Sequence, residues 1–315
     1  MNILQHLMQT FPHVSHVLER YPILTSCCAI YAALYWANGK AITRPGPFGP
    51  RWLAVLVARL FSAIMTYVGR CPVRKLVLPQ PPFDPTRQHM VVWHPHGPYT
   101  TMAFMKCAIY TTTATPLEWY PGIAPFLFKL PLFREALLLL NARSCDYRTM
   151  DSLAAAGLTI GLQPGGIPEQ LEADHAQDTA IFPARLGFIR MAMRYGMPLL
   201  PVYIFGENQA YTTCGKWGRT IAHMTYRLTG APLVPILGLW GLPWLVPKPT
   251  NVSVCWGRPV PVGPPNTSPT DQDVHNVFER YVSELQRVFD LFKDECLPTE
   301  VAAVGLKISL GKSKL

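Results

Sequence analysis

Three short stretches place residues capable of chemistry directly after apolar runs. The first is VVWHPHGPYT, residues 91–100, where His94 and His96 flank Pro95 and Gly97 follows. Val91, Val92 and Trp93 are strand formers. Pro95 cannot extend a ladder and holds the residue before it extended, while Gly97 allows a tight turn. A histidine pair at a strand end admits three readings: packed or solvated rings, a metal pair at His-x-His spacing, or a general base. The second stretch is QPGGIPEQL, residues 163–171, in which a strand runs into Gly165 and Gly166 and Glu169 follows. The third, PVYIFGENQAY at 201–211, ends a strand in Phe205, Gly206, Glu207 and Asn208. Polar groups at several strand ends are what a crevice in an open α/β sheet requires.

Other chemistries find less support. No Gly-x-Ser-x-Gly turn occurs, so a serine hydrolase lacks its nucleophile. The histidine pair has no third ligand cluster of recognisable spacing, and no metal is expected. The eight cysteines are scattered, and the close pair Cys27 and Cys28 lies inside an apolar run. They read as reduced, packed thiols, with the catalytic part facing the cytosol. The sequons at Asn251 and Asn266 would then be unused.

Those residues need a framework. HMVVW (89–93), LTIGLQ (158–163), PLLPVYIF (198–205) and NVSVCW (251–256) read as strands, and ARLGFIRMAMRYG (184–196) as a helix. Strand–helix alternation argues for an α/β sheet. The clearest helix is SPTDQDVHNVFERYVSELQRVFDLFKDE, 268–295, capped by Thr270 with Asp273 at the third position. Its stripe of Val274, Val277, Phe278, Tyr281, Leu285, Val288, Phe289 and Phe292 reads as docking surface.

The N-terminal part is different. Residues 21–36 carry no charge, and 52–68 are interrupted only by Arg59. A turn-rich connector joins them, so they are expected to form a membrane-embedded helical hairpin or to lie in one leaflet. Residues 1–20, with His6, His13 and His16, look like a short amphipathic helix. A net charge of +9 calls for an anionic partner. Arg44, Arg51, Arg70, Arg74 and Lys75 flank apolar stretches, which favours a membrane surface and argues against nucleic acid. Residues 229–247 are apolar yet rich in Pro and Gly, fitting a lipid-touching loop, the wall of an acyl pocket or an internal packed loop. The expected division is 1–75 for membrane association, 76–300 for a catalytic domain and 301–315 for a flexible tail.

One ordered set of motifs is more specific than any single stretch. HPHG, PGIAPFLFKLPLFRE, PGGIPE, RLGFIRMAMRYG with PVYIFGEN, a Gly-Arg-Pro strand end and a terminal amphipathic helix follow in that order. Together, over roughly residues 88–300, they resemble the diacylglycerol acyltransferase type 2 family, which includes monoacylglycerol and wax-ester acyltransferases. The resemblance implies an acyltransferase-like mixed sheet flanked by helices behind an N-terminal membrane hairpin. It implies acyl transfer from acyl-CoA, as substrate and without a cofactor, to a neutral lipid hydroxyl. Diacylglycerol is the first expectation, monoacylglycerol or a fatty alcohol the alternative. A non-catalytic lipid-binding protein on the same fold is the alternative of another class. Oligomerisation stays open.

On that resemblance His96 is the base, because Gly97 after it matches the His-Gly start of distantly similar glycerophosphate acyltransferases. His94 would position it or donate to the thioester oxygen. No aspartate follows the histidines, so Glu169 and Glu207 are the candidates to fix the imidazole tautomer. Gly165 and Gly166 shape the turn that carries Glu169; a similarly placed block contacts the acceptor in the distantly similar enzymes, so with Gly97, Glu207 and Asn208 they are expected at the substrate. Arg134 matches the Arg-Glu pair of the family, as an ion pair with Glu135 or as a substrate contact. Arg185 and Arg190, at a basic helix start, suit the phosphates of CoA, and Asn208 would hold a turn. The sequence departs from the family pattern in GLWGLPWLVP, which lacks an arginine, and in Gln163 and Pro164, where apolar residues are usual. Both departures bear on the acceptor. The resemblance implies the endoplasmic reticulum membrane or lipid droplets. The terminal Ser313-Lys314-Leu315 is a peroxisomal address as written.

Overall fold

The computed structural model describes residues 20–70, 73–76, 84, 87–101, 103–104 and 119–311. The expected helix over residues 1–20 falls almost wholly outside the described residues, and Ser313-Lys314-Leu315 wholly so. The chain divides into two compact units, Met1–Arg44 and Pro45–Leu315.

In the first unit, helix α1 (Pro22–Ala37) starts with proline in its first turn and buries none of its residues. At ~1.5 Å per residue it is about 24 Å long, short of a ~30 Å hydrocarbon core. In the second unit, α2 (Arg51–Ala63) continues through a π turn at Ile64–Val68, giving one apolar helical stretch of 18 residues. Ala54, Ala58 and Met65 are buried, while Trp52, Leu56, Leu60 and Ile64 are exposed. By length and composition this stretch could cross a membrane.

The second unit is built on a mixed sheet. Its strands are β1 (Val73–Leu76), β2 (Met90–His94), β3 (Trp119–Ile123), β4 (Arg143–Ser144), β5 (Thr159–Leu162), β7 (Leu199–Phe205) and β10 (Val252–Trp256). Among the described residues the order is β1-β10-β7-β2-β5-β3-β4. From β7 to β4 the strands are parallel, and β10 turns antiparallel against β7. Their carboxyl ends therefore share one edge, and β7, β2 and β5 are neighbours there. The period-2 alternation of a strand divides the core. Met90 and Val92 face one side with Leu199, Tyr203 and Phe205; Val91 and Trp93 face the other with Leu200, Val202 and Ile204.

Helices cover both faces. They are α3 (Phe133–Leu139), α4 (Tyr147–Ala155), α5 (Gly166–Leu171), α6 (Gly187–Tyr195), α7 (Gly215–Thr229) and α8 (Asp271–Cys296). Thr270 and Asp273 close a reciprocal capping box at the start of α8, as the sequence predicts. Val274, Val277, Phe278, Tyr281, Leu285, Val288 and Phe289 are all buried against the Met90 face.

Two expectations change. Residues 301–310 are not a loose tail: α9 (Thr299–Val304) buries Val301 and Ala302, and β11 (Lys307–Leu310) pairs in parallel with β6 (Thr179–Phe182). The apolar contacts outweigh the polar character of the tail. The 229–247 segment is both packed and exposed. It holds β9 (Ile236–Leu237), paired with β8 (Thr212–Thr213), and a 3-10 turn at Leu239–Gly241. Val234, Ile236 and Leu239 are buried, whereas Leu233, Trp240, Leu242 and Leu245 are exposed.

Candidate active site

β2 ends at His94, and alternation turns this side chain to the Met90 face. It is buried, with ring centroids 5.1 Å from Phe182 and 6.0 Å from Tyr281. Its Nε2 lies 3.0 Å from the Tyr281 hydroxyl, and Nδ1 has no hydrogen-bond partner. An Nε2–H donating to Tyr281 leaves only a lone pair unmatched at Nδ1. Burial, and then the neighbouring His96, push the His94 pKa down to about 3, so the ring is neutral at physiological pH.

His96, half-buried, sits in the turn that follows. Its Nδ1 is 3.0 Å from the Gly97 carbonyl and 3.2 Å from Thr100 Oγ1. An Nδ1–H donating to Gly97 leaves the Nε2 lone pair as acceptor, which is the form a general base needs. Burial lowers its pKa, opposed by the Gly97 carbonyl. Gly97 is required by geometry: φ is +64°, and a Cβ would lie 2.7 Å from Glu207 Cγ. The two imidazoles are committed to different neighbours, His94 to α8 and His96 to its own turn.

The Gly165–Gly166 turn after β5 grips this histidine turn. Gln163 Nε2 donates to the Pro95 carbonyl at 3.3 Å, and Gln170 Nε2 donates to the Pro98 carbonyl at 2.7 Å. Between them, Glu169 Oε1 accepts from the His96 backbone N–H at 2.5 Å, and its Oε2 accepts from Ile181 N–H at 2.8 Å. Glu169 was expected at the imidazole; it holds the main chain of the histidine instead. The short turn brings its carboxylate to the strand end, where two unpaired backbone donors need an acceptor. Gln163, unusual for the family pattern, has a structural task in the same clamp. Gly166 takes φ +48°, and a Cβ on Gly165 would overlap the Glu169 carboxylate. Burial raises the Glu169 pKa to about 7, opposed by the Ile181 and His96 N–H groups.

The turn after β7 completes the constellation. Glu207 Oε2 accepts from Ala103 N–H at 2.8 Å, and its chain packs on Gly97. Asn208 does more than hold a turn: its Nδ2 donates to Asp178 Oδ1 at 2.8 Å. The same buried carboxylate accepts from Gln209 Nε2 at 3.0 Å and from the Tyr203 hydroxyl at 2.8 Å. Burial raises the Asp178 pKa against these three donors. Asp178 and Tyr281 were not singled out from the sequence. The signal was a tyrosine in a Phe/Val/Leu stripe, whose hydroxyl needs a partner when buried. Asn208→Ala removes one donor from the buried carboxylate and should cost about 1–3 kcal/mol of stability, read as a lowered thermal midpoint. An unchanged midpoint would show that the network tolerates the gap.

The remaining candidates lie outside this clamp. Arg134 is buried at the start of α3, with Nε 3.9 Å from Glu135 Oε1. Its neighbour Phe133 stacks on Phe104 at 6.2 Å, linking α3 to the end of the histidine segment. Arg190 is taken by Asp271 and by the Pro269 carbonyl at 3.3 Å. Arg185 is exposed just before α6. Among the described residues no group of three or more His, Cys, Asp or Glu is placed to hold a metal ion.

These features define an α/β protein with a histidine-bearing turn, clamped by two neighbouring turns, at the carboxyl ends of its parallel strands. The chain belongs to the diacylglycerol acyltransferase family, whose model matches residues 55–303. It is 31% identical over 234 residues to diacylglycerol O-acyltransferase 2B of Umbelopsis ramanniana, covering 67% of this chain and 65% of that one. Against diacylglycerol O-acyltransferase 2 of Homo sapiens it is 31% identical over 243 residues, 70% of this chain and 61% of the relative. The match thus spans less than two thirds of both relatives. Against 2-acylglycerol O-acyltransferase 1 of Bos taurus it is 28% identical over 227 residues, 67% of each chain. Among solved structures it is similar to the 1-acyl-sn-glycerophosphate acyltransferase PlsC of Thermotoga maritima. That similarity has TM-score 0.42 and 17% identity, over 85% of this chain and 97% of the other.

Proposed function

We propose that this protein transfers a fatty acyl group from acyl-CoA to a lipid hydroxyl, with diacylglycerol as the acceptor and triacylglycerol as the product. The observation that carries the reading is the His96 ring: half-buried, its Nδ1 3.0 Å from the Gly97 carbonyl, its Nε2 met by the Thr100 hydroxyl at 3.4 Å, a long contact that an acceptor hydroxyl can replace. Nε2 takes the acceptor's hydroxyl proton as that oxygen attacks the thioester carbonyl. The C–S bond then breaks, and the imidazolium returns the proton to the departing CoA sulfur. Nothing covalent forms on the enzyme, and no cofactor enters. Glu169, Gln163, Gln170 and Glu207 hold the turn in place; His94 ties the end of β2 to Tyr281 on α8 without changing charge. Gly97, Gly165 and Gly166 permit the close approach of these turns. Arg185, exposed ahead of α6, is the group offered to the CoA phosphates, and Arg134 acts through the start of α3.

The apolar helices at 22–37 and 51–68 support a membrane-bound enzyme of lipid synthesis. Its place is the endoplasmic reticulum, with the catalytic unit on the cytosolic side and lipid droplets within reach. The bovine 2-acylglycerol relative supports monoacylglycerol as second acceptor. The test offers oleoyl-CoA with diacylglycerol, monoacylglycerol and a fatty alcohol in parallel to membranes containing the protein. Triacylglycerol should dominate. Diacylglycerol as the main product would favour the second reading. No ester from any acceptor would remove the enzymatic reading in favour of a lipid-binding protein.

A further inference from the structure

Exposed apolar residues gather on α7 and on the loop after it, a loop bonded to the segment that follows His96. On α7, Trp217, Met224 and Leu228 are 60%, 53% and 77% exposed, in one stripe opposite the buried Gly218 and Ala222. The loop after α7 adds Leu233, Trp240, Leu242 and Leu245, with Trp240 76% exposed and its ring 5.5 Å from that of Trp244. A soluble protein rarely leaves so many large apolar groups uncovered together.

We propose that this surface is a membrane-contact site of the catalytic unit, seating it on an anionic bilayer interface. The inference rests on the reading that the enzyme works on lipid. Three observations identify the occupant as a bilayer. Residues 208–270 contain no Asp or Glu; Glu172 and Asp174 reach α7 from the neighbouring turn but are engaged by Arg219 and His223, while Lys216 and Arg227 are exposed on α7. That balance complements anionic headgroups. Tryptophan paired with leucine suits the interfacial zone, where an amphipathic ring has one apolar and one wet side. The loop is also joined to the 51–68 helix: a Cβ on Gly69 would lie 3.1 Å from the Pro247 ring, and Met65 packs in the cluster of Val234 and Ile236.

The surface is tied to the chemistry by hydrogen bonds. The Tyr99 hydroxyl, three residues after His96, donates to the Val234 carbonyl at 2.8 Å. The Tyr211 hydroxyl donates to the Leu245 carbonyl at 2.7 Å and lies 3.0 Å from Thr101 Oγ1. Loop and histidine turn are therefore fixed to each other. A lipid acceptor would enter the crevice from the bilayer, whereas acyl-CoA arrives from water.

The test uses the full chain reconstituted in phosphatidylcholine vesicles, with and without phosphatidylserine. One variant is Trp240→Ser/Leu242→Ser/Leu245→Ser, with Trp240→Phe as its conservative partner; the other is Lys216→Gln/Arg227→Gln. Brominated acyl chains should quench wild-type tryptophan emission more than that of the triple variant. The KM for the lipid acceptor should rise about tenfold in the triple variant, with the KM for acyl-CoA unchanged and Trp240→Phe normal. The charge variant should lose the phosphatidylserine enhancement, about five-fold per charge. Because both its sites are exposed, it keeps the proposal falsifiable should the triple variant fold poorly. Equal quenching in all variants would overturn it. So would a rise confined to the acyl-CoA KM, meaning a pocket wall, or dissociation of a dimer, meaning a second copy. Quenching by lipid without any acyl transfer would sink the enzymatic reading and leave the surface standing.

Discussion

Replacing His96 with alanine should lower acyl transfer by about 10²–10⁴-fold, the usual contribution of a general base. The expectation rests on one geometry: Nδ1 held by Gly97, Nε2 met by the Thr100 hydroxyl at the long distance of 3.4 Å, and the ring partly exposed while His94 is sealed beneath α8. His94→Ala should behave differently. It removes the partner of Tyr281 and leaves a space among Phe182 and Tyr281, so stability falls while transfer remains measurable. The pH profile separates the roles further. The working imidazole is neutral, and burial holds its pKa below the ordinary 6.5. The rate should therefore rise with pH through a value under 6.5 and be level by neutrality. His94, neutral down to about 3, should not shape that profile. Alanine variants matched for expression decide the matter. A dead His94→Ala beside a near-normal His96→Ala would reverse the roles, and two active variants would remove both histidines from the chemistry.

Much of this site was legible because its residues follow strands. The runs at 89–93, 158–163, 198–205 and 251–256 signal strands, and parallel packing places three of their ends together. The clamp itself was not legible. Whether Glu169 meets the His96 ring or its backbone N–H depends on a few ångströms of turn geometry, and both put a carboxylate beside the histidine. Asp178 escaped because a single acid ahead of a strand has no pattern; its partners Tyr203, Asn208 and Gln209 are 25–31 residues distant. Gly206 shows the opposite case. The Phe-Gly-Glu-Asn motif needs glycine there because φ is +93° and a Cβ would meet the Asn251 carbonyl. Residues 301–310 depart from the expected flexible tail because their strand is four residues long, too short for alternation to show in the sequence.

Glu169→Ala should be the most disruptive substitution in the clamp. It strands the N–H groups of His96 and Ile181 at once. Two unsatisfied buried donors, at ~1–3 kcal/mol each, predict a stability loss of about 2–6 kcal/mol. Activity should fall about 10²-fold or more in whatever remains folded, since the histidine turn loses its anchor and a small misplacement of the base is costly. Glu169→Gln keeps the shape but offers one oxygen for two donors, so it should fall between alanine and wild type. The pH dependence distinguishes the two carboxyl states. A folded pKa of about 7 lies above the ordinary 4.5, so the folded chain holds this proton more tightly than the unfolded one. The stabilisation is fully present below 4.5 and is lost as pH rises through about 7. Over that interval of about 2.5 units it amounts to about 3 kcal/mol. Glutamine cannot titrate, so the advantage of wild type over Glu169→Gln should be greatest at acid pH and shrink towards pH 8. Parallel unfolding curves of the two proteins across pH would show it. A pH-independent gap would mean that Glu169 does not change charge in this range. An alanine variant that melts with wild type and turns over normally would mean that the His96 turn does not depend on this carboxylate.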